Sequence, residues 1–123
     1  MNVVLIQPRI DGSIASVTPP VGLAYLAAAL TQIAVPVACI AADVENLTDN
    51  ETAERALSLK PIMIGISTTT LSVYNAIAIL RRVKACNPTV VGIAGGPHAT
   101  IFPEELLTAG FDFVVRGEGE DTI

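Results

Sequence analysis

Short apolar runs alternate with longer segments of helical pattern along the 123 residues of this chain. Most of these runs are rich in Val and Ile, residues that favour strands. The third run is apolar almost throughout, which is typical of a parallel strand covered on both faces. Five strands are therefore predicted, at Val3–Gln7, Val35–Ala41, Pro61–Ser67, Thr89–Ala94 and Phe111–Val115.

Helical patterns follow the predicted strands. Pro20 suits the first turn of a helix, and the Ala- and Leu-rich residues after it predict a helix that ends near Ile33, before Pro36. Thr48 and Glu51 have the spacing of a capping box, which predicts a helix start. The further predicted helices are Thr48–Leu59, Leu71–Ala85 and Pro103–Ala109.

Strands that alternate with helices over short connections predict an open parallel sheet with helices on both faces. We expect an α/β protein of three layers, Rossmann-like in its flavodoxin-like form, whose five parallel strands take the order 2-1-3-4-5. The length corresponds to one domain, and no repeat or linker divides residues 1–123. Because residues 116–123 leave the last predicted strand and end where another helix would begin, we expect a fragment of a longer protein.

The chain is apolar for a domain of this size, since 51% of its residues are hydrophobic and 15% are charged. No charged residue occurs from Gly12 to Ala42, which raises the question of a membrane span. Pro19, Pro20 and Pro36 interrupt this stretch, and its apolar runs are shorter than the roughly 20 residues that a bilayer requires. We expect no span, and we expect some apolar surface to be covered by a cofactor, a partner chain or a neighbouring domain.

Charge and cysteine usage disfavour further classes. The formal net charge of -5 disfavours nucleic acid, whose binding depends on neutralising phosphates. The first apolar run has no basic residue before it and no small-residue cleavage site after it, so we expect no secretory signal and a cytoplasmic location. Cys39 and Cys86 form no Cys-x-x-Cys pair and have no clustered His, which predicts buried free thiols rather than redox or zinc sites.

Ligands of such sheets bind outside the carboxyl ends of the strands, where the loops diverge. Loops of this kind follow the first, third, fourth and fifth predicted strands. They are Pro8–Pro19, Ser67-Thr68-Thr69-Thr70, Gly95-Gly96-Pro97-His98-Ala99-Thr100 and Arg116–Glu120. Their glycine, hydroxyl and turn residues predict a ligand crevice at this edge of the sheet.

The hydroxyl run offers short donors and acceptors for an amide, phosphate or ribose group. Ser67 and Thr68 are the better ligand candidates, whereas Thr70 or Ser72 can instead cap the helix that follows. Gly95-Gly96 leaves no side chain where a bulky planar ligand could lie against the backbone. The same pair is also compatible with a tight turn with φ > 0.

His98 is the only histidine of the chain, and it lies in the glycine loop. It is either a cofactor contact or an ordinary hydrogen-bonded residue. Because no second His, Cys or carboxylate stands at ligand spacing, the sequence predicts no autonomous metal site. Glu118 and Glu120 either bind a cation or form a solvated acidic tip.

Several familiar sites of α/β proteins are absent from the sequence. No Gly-x-Gly-x-x-Gly follows the first strand, and neither a P-loop lysine nor a Gly-x-Ser-x-Gly nucleophile elbow occurs. A phospho-acceptor receiver domain would need acidic residues after the first strand, Asp after the third and Lys after the fifth. This chain has Gln7, Ser67 and Arg116 in those neighbourhoods.

Four segments carry a resemblance to a known family: Pro19-Pro20-Val21-Gly22-Leu23-Ala24-Tyr25-Leu26-Ala27, Ile64-Gly65-Ile66-Ser67, Gly95-Gly96-Pro97-His98-Ala99-Thr100 and Asp112-Phe113-Val114-Val115-Arg116-Gly117-Glu118-Gly119-Glu120. In this order they resemble the amino-terminal cobalamin-binding domain of cobalamin-dependent radical SAM enzymes. That group includes the anaerobic magnesium-protoporphyrin monomethyl ester cyclase and many methyltransferases. The resemblance spans nearly the whole chain.

The resemblance implies that the chain binds cobalamin, with the nucleotide tail between sheet and helices and the corrin ring over the strand ends. The cofactor-binding residues expected on this basis are Ser67, Thr68, Thr69, Thr70, Gly95, Gly96, Pro97 and His98. Better-known cobalamin modules carry Asp-x-His-x-x-Gly after the first strand, but Pro8-Arg9-Ile10-Asp11-Gly12 contains no His. Bound cobalamin is therefore expected to be base-off, without that histidine as lower ligand.

The resemblance also implies partners beyond this chain. Cys39 and Cys86 cannot form the Cys-x-x-x-Cys-x-x-Cys motif that holds a [4Fe–4S] cluster. The cluster, S-adenosylmethionine and the small-molecule substrate are therefore expected in a radical SAM domain of the full-length protein, and this chain alone should catalyse nothing. The alternative is a flavodoxin-like domain that binds a nucleotide or flavin, or an interaction domain.

Overall fold

Five parallel strands form one sheet in the order β2-β1-β3-β4-β5. The structure is a computed structural model that describes residues 2–8, 36–69 and 71–115. The strands are β1 (Asn2–Gln7), β2 (Val37–Ala41), β3 (Pro61–Ser67), β4 (Val91–Gly95) and β5 (Phe113–Val114). The predicted α/β class and strand order are confirmed. The predicted helix from Pro20 to Ile33, the loop residues 9–19, Thr70 and residues 116–123 lie outside the described residues.

The described helices all connect or follow these strands. They are α1 (Ala42–Glu45), α2 (Asp49–Ser58), α3 (Val73–Cys86), α4 (Pro97–Ile101) and α5 (Pro103–Ala109). The capping box of α2 is confirmed: the Glu51 amide donates to Thr48 Oγ1, and the Thr48 amide donates to Glu51 Oε1, each at 3.1 Å. The short helices α1 and α4 were not predicted. The segment of α4 was expected to be a loop, but Pro97 takes the first helical position, where its missing N–H costs nothing.

Successive side chains of each strand point to opposite faces of the sheet. On the first face, Val4, Ile64 and Ile66 are at most 1% exposed and belong to one core cluster with Ile79 and Leu80 of α3. Burying each such side chain contributes roughly 1.5–3 kcal/mol. The second face carries the alternate residues of the same strands. The core therefore fixes which side chains of β1, β3 and β4 point to the second face.

Asp112 joins β4 to α3 just before β5. Its Oδ2 accepts hydrogen bonds from the Gly92 amide at 2.8 Å and from Lys84 Nζ at 2.6 Å. The Gly92 amide, followed by the Lys84 side chain, holds the pKa of this carboxyl below its ordinary value. A carboxyl whose pKa is lower in the folded state stabilises the fold above its unfolded pKa of about 3.9. That contribution is lost as the pH falls through the folded pKa.

We expect Asp112→Asn to lower the free energy of unfolding at pH 7 by up to about 1 kcal/mol, since the pair is partly exposed to solvent. The difference from the wild type should shrink as the pH falls toward 3, because the wild-type carboxyl becomes protonated. Urea denaturation at several pH values measures both quantities. A difference that keeps its full size at pH 3 would contradict this role of the charge.

The cysteines correct one expectation. Cys39 and Cys86 are free, as expected, but both are exposed rather than buried. Cys39 lies on β2, which forms an edge of the sheet, and Cys86 is the last residue of α3. The predicted order already placed β2 at an edge of the sheet, so the expectation of buried thiols rested on the apolar character of cysteine alone. Among the described helices, none is long and apolar enough to cross a bilayer.

Candidate functional site

The predicted hydroxyl and glycine loops meet at the carboxyl ends of β3 and β4. Ser67 and Gly95 are Cα partners in the parallel ladder between these strands. Both lie on the second face, because Ile66 and Ala94 before them are buried in the core of the first. We call this end of β1, β3 and β4 the carboxyl edge. The sequence-based expectation that the two loops share one edge is therefore confirmed.

Gly95 leaves a gap on the second face at this edge. A Cβ atom built on Gly95 would meet no atom within 4 Å, and its φ lies outside the left-handed region. Gly65 lies on the same face of β3, two residues before Ser67. A Cβ atom on Gly65 would lie 2.9 Å from Leu5 Cδ2, so the Leu5 side chain fills the space there. The open space at Gly95 lies at the carboxyl edge, beside Ser67, and we call it the open strip.

Ser67 borders this strip with its hydroxyl group. Its Oγ would lie 3.1 Å from a Cβ atom on Gly96, which places the hydroxyl beside the turn that follows β4. No hydrogen bond joins the Ser67 hydroxyl to any residue in the described ranges. The residue is half-buried. Its hydroxyl is therefore available to a ligand in the strip.

Thr68 is fully buried and holds the two strand ends together. Its amide and its Oγ1 both donate to the Gly95 carbonyl, at 2.7 and 2.8 Å. The same Oγ1 accepts from the Ala99 amide at 3.2 Å, and the Thr68 carbonyl accepts from the His98 amide at 3.1 Å. This threonine therefore fixes β4 and the start of α4 to the end of β3, and its hydroxyl proton is already used.

Thr69 and Ser72 form a reciprocal pair at the start of α3. The Thr69 amide donates to Ser72 Oγ at 3.0 Å, and the Ser72 amide donates to Thr69 Oγ1 at 3.2 Å. Ser72 occupies the N-cap position of α3, but its side chain makes no cap hydrogen bond to the helix. Both hydroxyls are engaged in ordering the loop, which leaves Ser67 as the hydroxyl of the described run that faces the strip.

Gly96 shapes the turn from β4 into α4. Its φ is 94° and its ψ is -178°, a conformation that residues with a Cβ rarely adopt. A Cβ there would lie 2.5 Å from the Thr68 carbonyl oxygen and 2.9 Å from the Thr68 amide nitrogen. The sequence predicted either room for a ligand or a turn with positive φ at this glycine pair. The structure has both, because Gly95 leaves the open strip and Gly96 makes the turn.

His98 is buried between α4 and α5. It is 5% exposed, its Nε2 lies 3.3 Å from Glu105 Oε1, and its ring centroid lies 5.1 Å from that of Phe102. Pro97 is exposed at the first position of α4. In the described part of the chain, no group of three His, Cys, Asp or Glu side chains is placed to hold a metal ion. The imidazole of His98 therefore contacts Glu105 of α5.

Several large apolar side chains are exposed on the segments that follow β3 and β4. They are Leu71, Tyr74, Ile101 and Phe102. The sequence predicted that some apolar surface would be covered by a cofactor, a partner or a neighbouring domain, and these exposed side chains are candidates for it. Together with the strip beside Ser67, they make the carboxyl edge the candidate functional region. The described side chains of this region are hydroxyl and apolar groups that can contact a ligand.

The model of the B12 binding domain family matches residues 10–123. This chain belongs to the B12-binding domain family. The resemblance drawn from the four sequence segments is thereby confirmed, and the cofactor of the family is cobalamin. As a B12-binding domain, the chain has its open strip at the edge of the sheet where the sequence predicted the cofactor crevice.

Curated relatives of this B12-binding domain are longer proteins. An uncharacterized methyltransferase of Pyrococcus horikoshii is 35% identical over 99% of this chain, which spans 28% of that relative. The anaerobic magnesium-protoporphyrin IX monomethyl ester cyclase of Rubrivivax gelatinosus is 33% identical over 100% of this chain, which spans 23% of it. The chain therefore covers about a quarter of the length of these relatives.

Solved structures show the same fold. The radical S-adenosylmethionine methyltransferase TsrM from Kitasatospora setae, solved with cobalamin and a [4Fe–4S] cluster bound, aligns with a TM-score of 0.79 and 17% identity. The alignment covers 98% of this chain and 24% of TsrM. A CheY-like protein, tadZ from Pseudomonas aeruginosa, aligns with a TM-score of 0.66 and 16% identity over 98% of this chain and 92% of its own.

One polar residue at the carboxyl edge was missed by the sequence-based site prediction. Gln7 ends β1, and the alternation along that strand places it on the second face with Leu5. The signal was present in the sequence, because Gln7 is the polar residue that closes an otherwise apolar run.

Proposed function

We propose that this chain binds cobalamin at the carboxyl edge, with the nucleotide tail in the open strip beside Ser67. The observation that carries the proposal is the space above Gly95, where a Cβ would meet no atom within 4 Å. The Ser67 hydroxyl, which has no hydrogen bond within the described residues, borders this space. The buried Thr68 joins the ends of β3 and β4 to the start of α4. A slender, polar ligand segment fits such a strip, as the tail of a corrinoid does.

Each residue of the site has a distinct part in this proposal. Ser67 donates or accepts a hydrogen bond to the tail, and Gly95 provides the room that the tail occupies. Thr68, Thr69 and Gly96 position these two residues, because their own hydrogen bonds and backbone geometry are committed within the protein. Thr70 remains a candidate contact from the sequence.

We further propose that cobalamin is bound base-off, without a histidine of this chain as lower ligand. The segment Pro8-Arg9-Ile10-Asp11-Gly12 contains no histidine. The single His98 is 5% exposed and pairs with Glu105 of α5, which supports a role in joining α4 to α5. The exposed Pro97 starts α4 and stays a candidate contact of the corrin ring. The bound cofactor is then expected to show the visible spectrum of base-off cobalamin.

In this proposal the chain is the cofactor module of a longer radical SAM protein, and residues 1–123 are one domain of it. The relatives, of which the chain covers about a quarter, support this context. The [4Fe–4S] cluster, S-adenosylmethionine and the small-molecule substrate belong to another domain. When bound, cobalamin supplies a cobalt centre that can carry a methyl group, so the parent protein is proposed to be a methyltransferase or an oxidative cyclase.

Retention of hydroxocobalamin after desalting tests the proposed function. We expect the wild-type chain to keep its corrin absorbance and Ser67→Leu to lose it, because the larger side chain enters the strip. Ser67→Ala should weaken the affinity about two- to tenfold, the worth of one hydrogen bond. Ser58→Ala on the exposed side of α2 is the matched control and should bind as the wild type does.

The alternative function gives a different result in the same assay. A flavodoxin-like nucleotide or flavin domain would retain flavin mononucleotide and release cobalamin. If the wild-type chain retained no corrinoid at high protein concentration, the proposal would fail. Equal affinities of wild type and Ser67→Leu would place the tail elsewhere.

A further inference from the structure

Gln7 lies beside Ser67 on the same face and at the same edge. The Cα partners Leu5 and Gly65, then Ile6 and Ile66, define the parallel register between β1 and β3. One further step along this register places Gln7 next to Ser67. Neighbouring strands lie about 4.8 Å apart. The side-chain amide and the hydroxyl therefore form a short polar row, and the open strip above Gly95 continues it on β4.

The polar row is electrically neutral. The described basic side chains are Arg55, Lys60, Arg81, Arg82 and Lys84. Lys60 precedes the amino end of β3, Arg55 lies in the last turn of α2, and the other three lie in the second half of α3. Since α3 leads from the carboxyl end of β3 back to the amino end of β4, its second half lies away from the carboxyl edge. An anionic group at this edge therefore has neutral donors as its described neighbours.

We propose that Gln7 and Ser67 together form a two-donor cradle for the phosphodiester group of the corrinoid's nucleotide tail. This inference rests on the proposed function, and it names the chemical group that the site recognises. Side chains on neighbouring strands, whose backbones lie about 4.8 Å apart, can each donate to a different oxygen of one phosphate. The glutamine amide carries two N–H donors and one acceptor, so it can serve a phosphate oxygen while keeping another partner.

Two substitutions and two ligands test the cradle. Gln7→Glu keeps the size of the side chain, removes its donors and adds a negative charge, whereas Gln7→Leu only removes the polar group. We expect Gln7→Glu to weaken cobalamin binding at least tenfold and Gln7→Leu to weaken it two- to tenfold. Cobinamide, a corrinoid without phosphate, ribose and base, should bind wild type, Gln7→Glu and Gln7→Leu with equal affinity.

Asn50→Asp is the matched control, since it adds the same charge on the exposed side of α2. It should bind both corrinoids as the wild type does, and circular dichroism checks that each variant is folded. Cobalamin bound equally by wild type and Gln7→Glu would overturn the cradle while leaving the proposed function intact. An equal loss of cobalamin and cobinamide in a folded Gln7→Glu would overturn it as well. If wild type bound no cobalamin, the proposed function itself would fail, and the cradle with it.

Discussion

Gly95→Val is expected to fold as stably as the wild type and to bind cobalamin at least about tenfold more weakly, a loss of about 1.4 kcal/mol or more. The added Cβ would meet no atom within 4 Å, and the backbone at this residue does not require glycine. A β-branched side chain also suits a strand better than glycine does. The branched methyl groups would occupy the strip that the tail needs. Urea denaturation measures the stability, and equilibrium dialysis with hydroxocobalamin measures the affinity.

Gly92→Ala, on the same strand, is the matched control for this variant. A Cβ on Gly92 would lie 2.3 Å from Leu80 Cδ1, so the change strains the contact between β4 and α3 on the first face. Overpacking of this kind costs about 1–3 kcal/mol. We therefore expect Gly92→Ala to lose stability and, where it is folded, to keep its cobalamin affinity. If Gly95→Val kept full affinity, the strip would not be the binding site.

Gly96→Ala is expected to have the largest effect on stability, at least about 2 kcal/mol. Its Cβ would come within 3 Å of two backbone atoms of Thr68, which cannot move without breaking their bonds to Gly95 and His98. The positive φ of 94° adds strain. Urea denaturation of the apoprotein measures the loss, and no ligand is needed for the comparison.

Gly110→Ala separates the two causes of that loss. Gly110 also has a positive φ, of 125°, but the nearest atom to an added Cβ is Leu80 Cδ2 at 3.7 Å. Gly110→Ala should therefore lower the free energy of unfolding only through the strain of a positive φ, without a steric clash. We expect Gly96→Ala to be clearly less stable than Gly110→Ala. Equal stabilities would show that the contact with Thr68 does not hold the turn.

The sheet could be predicted from the sequence because its central strands β1 and β3 are apolar almost throughout. β3 occupies the predicted residues Pro61–Ser67, and α5 the predicted residues Pro103–Ala109. Alternation of strands with helices then restricts the connections to a few topologies. β5 is shorter than predicted, and it lies at an edge, where a strand pairs with only one neighbour. The expectation that Cys39 is buried was wrong although the predicted order placed β2 at an edge, because that expectation rested on the apolar character of cysteine alone.

The sequence could not show which hydroxyl groups of this run are hydrogen-bonded within the protein and which one is available to a ligand. The sequence presents Ser67, Thr68 and Thr69 as equivalent short donors, and it favoured the first two as ligands. Their roles depend on partners that are distant in the chain, above all on the bond from Thr68 to Gly95, 27 residues away. The role of His98 could not be predicted either. Its partner Glu105 lies on α5, and His98 itself lies on α4, a helix that the sequence did not predict.

The most direct test of the binding site is an NMR titration of the ¹⁵N-labelled chain with hydroxocobalamin. We expect the amide signals of Gly65, Ser67, Gly95 and Gly96 to move together with increasing ligand concentration. The signals of α2 should stay in place, since that helix lies against the opposite face of the sheet. Shifts centred on α2 and α3, with the amides of Ser67 and Gly95 unchanged while cobalamin is bound, would contradict it.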